Sequence, residues 1–475
     1  MIDAASAPED QSRSGARAAP AAIDRGAFSW ALFEWARNPY VILCVIYVFA
    51  PYVATTVIGD PVRGQETISS WHKISGFVVA FTAPFLGAAA DRMGARKPAL
   101  AVVLALLAPA VLIQWWAMPG EGGLPLWAVG AAIVVAGIAF NWTEVLHNSM
   151  LTRACTPAAL PHVSGLGLAL GNAASVLLLV FVLLTMALPG QVDWAFVPDA
   201  PWFGLNPAAH EPSRIVAPLS ALWLVAFAIP LFLFTPDQRA TGVSFLAAAR
   251  DGVMGVARTI SKLRDHRNVA MFLIARMLYA DGKTAILIFG GVYAAGVLGW
   301  ELVEMLAFGV ILSIFAVFGG FAGGWLDDAI GPKNAVALEI GVTLACLIGM
   351  VSMAPDAMFF VIPVDPAAIV WSGPVFQTAP ELAYIAIAML IAISITAAYA
   401  SSRTLMARLA PAGMEGEIFG LYALSGAATV WLGPLLVEEF TRAYDSQKIG
   451  FASIAILLVA GFVAMLFVRP PAPAR

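Results

Sequence analysis

The sequence is poor in charged residues, cysteines and nucleotide-binding motifs. Only 12% of its residues are charged, against roughly 25% in soluble domains. Its three cysteines lie far apart, with neither metal-ligand nor CxxC spacing, so we expect no metal site and no disulfide framework. The absence of a GxxxxGK[ST] motif excludes a pump driven by ATP. A net charge of −4 without a basic, aromatic-rich tract gives no sign of nucleic-acid binding.

Long apolar runs are abundant instead. Hydrophobic residues make up 60% of the chain, and a run of about 20 such residues is long enough to cross a bilayer. The runs cover residues 28–57, 69–90, 99–117, 126–148, 163–188, 215–234, 269–299, 303–326, 334–353, 381–405, 418–440 and 449–468. The sequence therefore predicts an all-α polytopic membrane protein with twelve transmembrane helices. Since no nucleophile–base pair stands on a soluble domain, we expect neither an enzyme nor a cofactor.

The distribution of charge predicts domain order and orientation. Residues 1–27 lack an apolar run and read as a disordered tail, not a signal peptide. Residues 28–236 and 269–469 each form a six-helix bundle, and residues 470–475 form a short tail. The basic linker, residues 237–268, is predicted to carry an amphipathic helix on the membrane surface. Because Lys and Arg concentrate on the linker's side, the positive-inside rule places both termini in the cytoplasm of a bacterial inner membrane.

A loop motif occurs once in each half. Residues 87–97 read GAAADRMGARK and residues 324–333 read GWLDDAIGPK, with Gly, Asp and Gly at the same spacing. Parallel six-helix repeats are a transporter architecture. The Asp can accept hydrogen bonds from helix N-terminal amides or a basic partner, and such a bond can hold the cytoplasmic side closed in one state. The alternative is that the basic residues of the loop only set the membrane topology. The predicted cytoplasmic gate comprises Gly87, Asp91, Arg92, Gly94, Arg96, Gly324, Asp328, Gly331 and Lys333.

The first motif, GxxxDRxGxRK between spans two and three, resembles that of the major facilitator superfamily. Five blocks are similar to one bacterial branch related to fungal vacuolar amino-acid effluxers of autophagy. They are FEWARNPY (33–40), FLIARMLYADGKTAILIFGGVYAAG (272–296), GGWLDDAIGPK (323–333), ASSRTLMARLAP (400–411) and FGLYALSGAATVWLGPLL (419–436). The resemblance implies the major facilitator fold of two pseudo-symmetric bundles and secondary transport by alternating access. Ala329 departs from the pattern, since a basic residue is usual there.

Charged and polar residues within the predicted helices 1 and 4 mark a candidate substrate or coupling site. Each charge at a helix centre costs about 2.5–3.5 kcal/mol on insertion scales, so it needs a partner or water. Glu34, Arg37 and Asn38 share one face of helix 1, and Pro39 is expected to kink it. Glu144 and His147 are spaced i, i+3 in helix 4, suited to relaying protons unless the histidine is simply hydrated.

Helix 7 carries the densest charge of any predicted span. Arg276, Tyr279 and Lys283 form one stripe, while Asp281 lies about 140° from Arg276 unless Gly282 distorts the backbone. We favour Asp281 as a substrate or proton-coupling carboxylate and Lys283 as an anion contact, against a structural ion pair.

The internal repeat suggests partners for two arginines. It sets Arg37 opposite Asp281, which suggests an ion pair that forms in one conformational state of the transporter and breaks in the other. The alternative is an intrahelical Glu34–Arg37 pair. Arg403, in helix 10, would hold a substrate carboxylate or pair with Glu144.

The sequence predicts a secondary transporter of a small polar or zwitterionic, amino-acid-like metabolite. Paired intramembrane acids and bases favour this function, and proton coupling stays open. The alternatives are a lipid or amphiphile translocator, or a receptor or scaffold that keeps the same fold. We expect a monomer in the lipid bilayer whose partners are the substrate and protons. Glu339 is expected to be interfacial or paired.

Overall fold

The computed structural model describes residues 23–156, 159–244, 263–411 and 415–469, with isolated positions between 247 and 261. Most of the predicted linker helix, most of the N-terminal tail and the whole C-terminal tail lie outside these residues.

Twelve long helical segments run through the described chain. In the first half they are α1 (Arg25–Val57), α2 (Pro61–Met93), α3 (Lys97–Trp116), α4 (Leu126–Ala154), α5 (Leu160–Val182, continued by Leu183–Ala187) and α6 (Val216–Phe234). In the second half they are α7 (Arg267–Tyr293, continued by Ala294–Leu298), α8 (Leu302–Ile330), α9 (Pro332–Val351), α10 (Ala379–Leu409), α11 (Glu415–Ala428 and Leu432–Tyr444) and α12 (Gln447–Ala452 and Ile454–Leu466). The predicted all-α polytopic fold is confirmed.

Ten of these helices are long and apolar enough to cross a membrane, and α2 and α7 are the other two of the twelve. Both carry several charged side chains, which lowers their hydropathy but not their length. The described connections between the helices contain short elements. In chain order these are 3₁₀ turns at Gly120–Gly122, Trp202–Gly204 and Pro207–Ala209, a helical turn at Glu211–Arg214, a 3₁₀ turn at Leu263–Asp265, and an antiparallel hairpin of β1 (Ala357–Met358) and β2 (Ile362–Pro363).

Helix α1 shows how local sequence shapes a spanning helix. Its first turn is capped by Asp24, whose Oδ1 accepts from the Ala27 amide at 2.7 Å. The regular α-helix ends at Pro39, and wider π-helical turns follow from Tyr40 to Tyr47. Proline lacks the amide hydrogen that would continue the pattern, so the predicted disturbance at Pro39 is confirmed.

Both ends of the described chain lie on one face, which we call the terminal face. Thr235 at the end of α6 donates to the Gly26 carbonyl near the start of α1, at 3.2 Å. Asn268 at the start of α7 accepts from the Arg469 amide, just after α12, at 2.7 Å. The opposite face, which we call the distal face, carries the long α5–α6 and α9–α10 connections.

The two halves meet along α1 with α7, α2 with α11, and α5 with α8, and polar bonds tie them together near the distal face. Lys73 in α2 forms an ion pair with Glu438 in α11 at 2.6 Å, which we call the distal lock. The Gln65 amide donates to the Thr441 hydroxyl at 2.8 Å and to the Gln447 carbonyl at 3.1 Å. Toward the terminal face, by contrast, Glu144 of α4 and Arg403 of α10 are exposed. The structure is therefore closed on its distal side.

Two adjacent glycines in α7 test how closely the halves approach. A Cβ at Gly291 would collide with the Ile46 carbonyl oxygen of α1, whereas a Cβ at Gly290 would meet nothing within 4 Å. We expect Gly291→Ala to destabilise the protein by about 1–3 kcal/mol through overpacking. Gly290→Ala should be neutral or slightly stabilising, because alanine favours a helix. Thermal unfolding of both variants in detergent measures this, and equal melting temperatures would contradict the close approach.

Candidate functional site

Arg37 is the centre of a charge cluster in the first half. Its side chain is buried, and it donates from Nη1 to Glu34 Oε1 and from Nη2 to Glu144 Oε2, each at 3.1 Å. Its guanidinium also lies over the Phe140 ring, 4.2 Å from the centroid. An unpaired buried cation would cost several kcal/mol, so these two carboxylates are what allow Arg37 to sit between α1 and α4.

His147 joins the same cluster from α4. Its ring stacks on Trp30 with centroids 4.2 Å apart, and the Trp30 indole donates to the His147 carbonyl at 2.8 Å. His147 Nε2 lies 2.8 Å from the Trp30 carbonyl oxygen, which only accepts, so Nε2 must carry hydrogen. Nδ1 lies 3.2 Å from Glu34 Oε1, which makes this contact an ion pair when the imidazole is protonated. The cluster therefore places an imidazole and a carboxylate beside a buried arginine.

These contacts revise the predicted pairing. The expected relay between Glu144 and His147 is wrong in its partner, since His147 contacts Glu34 on the neighbouring helix and Glu144 contacts Arg37. The intrahelical Glu34–Arg37 alternative is present. Asn38 points away from these charges and donates to the Ser175 hydroxyl of α5 at 3.0 Å.

Arg276 and Tyr279 of α7 are held by neighbouring helices of the second half. Arg276 donates to the Tyr422 carbonyl at 2.7 Å and to the Ser425 hydroxyl at 2.6 Å, and it lies over the Tyr422 ring at 3.6 Å. Tyr279 shares a hydrogen bond of 2.7 Å with Ser402 of α10. Arg276 thus fastens α7 to α11, and Tyr279 fastens α7 to α10.

Asp281 lies where α11 is interrupted, between Ala428 and Leu432. Its Oδ2 accepts from the Gly433 amide at 2.8 Å, so the carboxylate sits at the N-terminus of the second part of α11. A helix N-terminus carries partial positive charge, which stabilises an anion there. The predicted pair with Arg37 is not formed in this structure, because each residue is held by other partners. Helix α7 is regular through Gly282, so the expected distortion is absent at that position.

The two remaining candidate cations have contrasting environments. Lys283 is fully buried, with Nζ 4.8 Å from the ring centroids of both Tyr279 and Tyr399 and no hydrogen-bond partner among the described residues. Arg403 is exposed and makes no ion pair with Glu144, whose carboxylate is held by Arg37. The Tyr399 hydroxyl interacts electrostatically with Glu144 and Arg276, so the clusters of the two halves face each other.

The gate motif forms its two glycine turns, and Asp237 supplies an acceptor beside the first of them. Gly94 and Gly331 have φ of +84° and +79°, which glycine adopts without strain. The Asp237 carboxylate accepts from the amides of Arg96 and Lys97, at 3.0 and 2.9 Å, in the role expected for the motif aspartate.

The other gate residues differ in their exposure and in their contacts. The Asp91 side chain lies outside the described residues, and Asp328 is exposed, whereas its neighbour Asp327 is buried. Arg92 accepts through its carbonyl from Thr241, and Arg96 donates to the Ser149 hydroxyl at 2.8 Å. Gly87 lies against Val145, while a Cβ at Gly324 would meet nothing within 4 Å, and Lys333 is half-buried at the start of α9.

Sequence reasoning missed three charged residues that the structure brings into contact. Lys73 and Glu438 lie within predicted spans, so the criterion applied to α7, a charge inside an apolar run, would have found them. Glu339, expected to be interfacial or paired, is 2% exposed and therefore not interfacial, and its Oε1 accepts from the Ser401 hydroxyl. Asp237 follows the last helix of the first half directly, and no pattern in the sequence marks it as an acceptor.

The Arg37 cluster makes a prediction about stability. Arg37→Met removes one cation from between two carboxylates, and breaking a buried pair costs about 3–5 kcal/mol. Glu144→Gln should cost about 1 kcal/mol or less, because the Glu144 side chain is 52% exposed. Thermal unfolding in one detergent compares the two, and an Arg37→Met variant as stable as Glu144→Gln would show that the cluster does not support the fold.

The distal lock makes a prediction about conformation. Glu438→Gln should weaken the contact between α2 and α11 and lengthen the distance between spin labels placed at Arg63 and Asp445, two exposed distal positions. Glu439→Gln is the matched control, because Glu439 pairs with Arg442 in its own helix. Pulsed electron paramagnetic resonance measures the distance, and identical distributions in both variants would contradict a gating role.

Comparisons with known proteins agree with this architecture. The chain is 23% identical over 444 residues to an uncharacterized MFS-type transporter, YxiO, of Bacillus subtilis, covering 93% of this chain and 94% of the relative. It is 24% identical to autophagy-related protein 22-1 of Aspergillus niger over 54% of this chain and 41% of that protein.

Solved transporters share the fold at low identity. The nucleoside transporter NupG matches with a TM-score of 0.63 at 12% identity, covering 93% of this chain and 98% of that chain. A D-xylose-proton symporter matches with a TM-score of 0.62 at 11% identity, covering 95% and 98%. The family model described as vacuole effluxer Atg22 like matches residues 158–471. The chain is thus a membrane transporter of the major facilitator type that belongs to the vacuole effluxer Atg22-like family.

Proposed function

We propose that the protein is a secondary active transporter that moves a zwitterionic, amino-acid-like metabolite by alternating access, coupled to protons. It would work as a monomer in a bacterial inner membrane, with its terminal face in the cytoplasm. The observation that carries this proposal is the pair of charge clusters, one around Arg37 in the first half and one on α7 and α10 in the second.

The exposed members of the two clusters fit a zwitterion. Glu144 keeps half of its side chain exposed while Arg37 holds one of its oxygens, so the carboxylate can still accept from an ammonium group. Arg403 is exposed on α10 and presents the planar guanidinium that binds a carboxylate through two hydrogen bonds. A substrate with both charges would satisfy both residues, whereas a lipid tail or a sterol would leave them unpaired.

The closed distal side supports alternating access. In this structure the distal lock and the Gln65 bonds hold the halves together on one side, while Glu144 and Arg403 are exposed toward the other. Opening the distal side would break one ion pair and two hydrogen bonds. The resulting free-energy difference between the closed and open states is of the size that a bound substrate can offset, since a ligand shifts a two-state equilibrium by its difference in affinity for the two states.

The contact between His147 and Glu34 supports coupling. Glu34 contacts both His147 and Arg37, so a proton bound beside Glu34 would change the charge around Arg37 and with it the contact between Arg37 and Glu144. Glu144 would become less available to a substrate ammonium group. Proton binding and substrate binding are thereby linked through Arg37.

The substrate class can be tested on purified protein by a thermal-shift screen against amino acids, peptides, sugars, nucleosides and lipids, followed by counterflow in liposomes. We expect amino acids to stabilise the protein and Arg403→Gln to weaken their binding about tenfold or more, since a charge-assisted hydrogen bond contributes about 1.5–3 kcal/mol. Arg408→Gln is the matched control, because Arg408 is exposed near the end of the same helix.

Two outcomes would count against the proposal. Equal weakening by Arg403→Gln and Arg408→Gln would remove Arg403 from the substrate site, and stabilisation by lipids alone would favour an amphiphile translocator. Counterflow and uptake repeated with and without a pH gradient test the coupling. Transport that does not respond to the gradient would remove the proton from the mechanism.

A further inference from the structure

Two buried charged groups in the second half are left unexplained by the substrate site. Lys283 of α7 is fully buried and Glu339 of α9 is 2% exposed. Among the described residues, Lys283 Nζ and Glu339 Oε2 have no hydrogen-bond partner. Both groups lie against the same stretch of α10, since Tyr399 flanks Lys283 and Ser401 donates to Glu339, but they form no ion pair within 4.0 Å. A buried ammonium and a buried carboxylate held apart in this way are each costly in their charged forms.

The neighbouring helices bring few other charged groups to Lys283 and Glu339. Asp327 faces Glu339 from α8, and Arg276 acts on Lys283 from the same helix α7. The rings of Tyr279 and Tyr399 flank Lys283. Helix α12 also packs against α9 but has no charged side chain beyond Lys448 in its first turn.

We propose that Lys283 and Glu339 form a proton-exchange site within the second half, separate from the contact between Glu34 and His147 in the first half. In the exchange an N–H bond of the Lys283 ammonium breaks and its electron pair stays on Nζ. Because the two groups form no ion pair within 4.0 Å, a water molecule carries the proton to Glu339, where an O–H bond forms. The products are a neutral amine and a neutral acid, which remove both buried charges. Release of the proton to water leaves the amine beside a carboxylate.

Helix α10 connects this site to the exposed arginine. The Ser401 hydroxyl donates to Glu339 Oε1 at 3.2 Å, and the adjacent Ser402 bonds Tyr279 on α7 at 2.7 Å. Tyr399, two residues earlier, flanks Lys283, and Arg403 follows Ser402 directly. A hydroxyl bonds more strongly to a carboxylate than to a neutral acid, so protonation of Glu339 loosens α10 next to Arg403. This coupling role rests on the proposed transport function, whereas proton binding itself does not.

Proton binding can be tested without knowing the substrate. Infrared difference spectroscopy of the full chain in liposomes, titrated with pH, should show a carbonyl band of a buried carboxylic acid. Glu339→Gln should abolish that band, and Glu121→Gln, an exposed loop carboxylate, should leave it unchanged. Lys283→Met should move its midpoint to higher pH by one unit or more, because a nearby cation favours the carboxylate. Ser401→Ala keeps both groups and should shift the midpoint in the same direction if Glu339→Gln fails to fold.

The results separate this inference from the proposed function. A band that survives Glu339→Gln, or a midpoint unmoved by both Lys283→Met and Ser401→Ala, overturns the proton-exchange site. Amino-acid uptake driven by a pH gradient as strongly in Glu339→Gln as in the unaltered protein would overturn its coupling role. A titrating Glu339 in a protein that transports no amino acid would leave the site standing and reject the proposed function instead.

Discussion

Burying charge in an apolar bundle is the constraint on which the rest of this structure depends. A bilayer offers no water to a charged side chain, so a buried charge is costly unless other groups of the protein stabilise it. Arg37 is held by two carboxylates, Asp281 accepts from an amide at a helix N-terminus, and Arg276 donates to a carbonyl and a hydroxyl and lies over an aromatic ring. These partners come from different helices. The same bonds that make the charges tolerable therefore fix how the helices of each half pack.

The internal repeat is preserved in position but not in chemistry. A shift of 255 residues, as between Glu144 and Tyr399, also relates His147 to Ser402. In the first half these positions carry an acid and an imidazole that contact α1, whereas in the second half they carry hydroxyl groups that contact or flank residues of α7. At these two positions one half thus presents ionisable groups, whereas the other presents hydroxyl groups. An asymmetric site of this kind can bind a substrate in one orientation.

Much of the fold followed from the sequence, whereas side-chain partners did not. Apolar run length predicts the twelve helices because the bilayer thickness sets that length. Pro39 and Gly94 were predicted because their backbone chemistry is local. The pairing of His147 with Glu34 and of Asp281 with Gly433 depends on how helices distant in sequence are rotated, which periodicity within one helix does not determine. The two alternatives for Glu339, interfacial or paired, stayed open for the same reason, since its burial is set by α8, α10 and α12.

The interruption of α11 has a mechanical consequence. Arg276 anchors the part from Glu415 to Ala428, and Asp281 anchors the part from Leu432 to Tyr444, which also carries Glu438 of the distal lock. The two parts are thus fastened to α7 at separate points, with a non-helical joint between them. The thirteen residues from Leu432 to Tyr444 are therefore attached to α7 independently of the rest of α11, so a change in their angle at the joint would leave the Arg276 contacts in place.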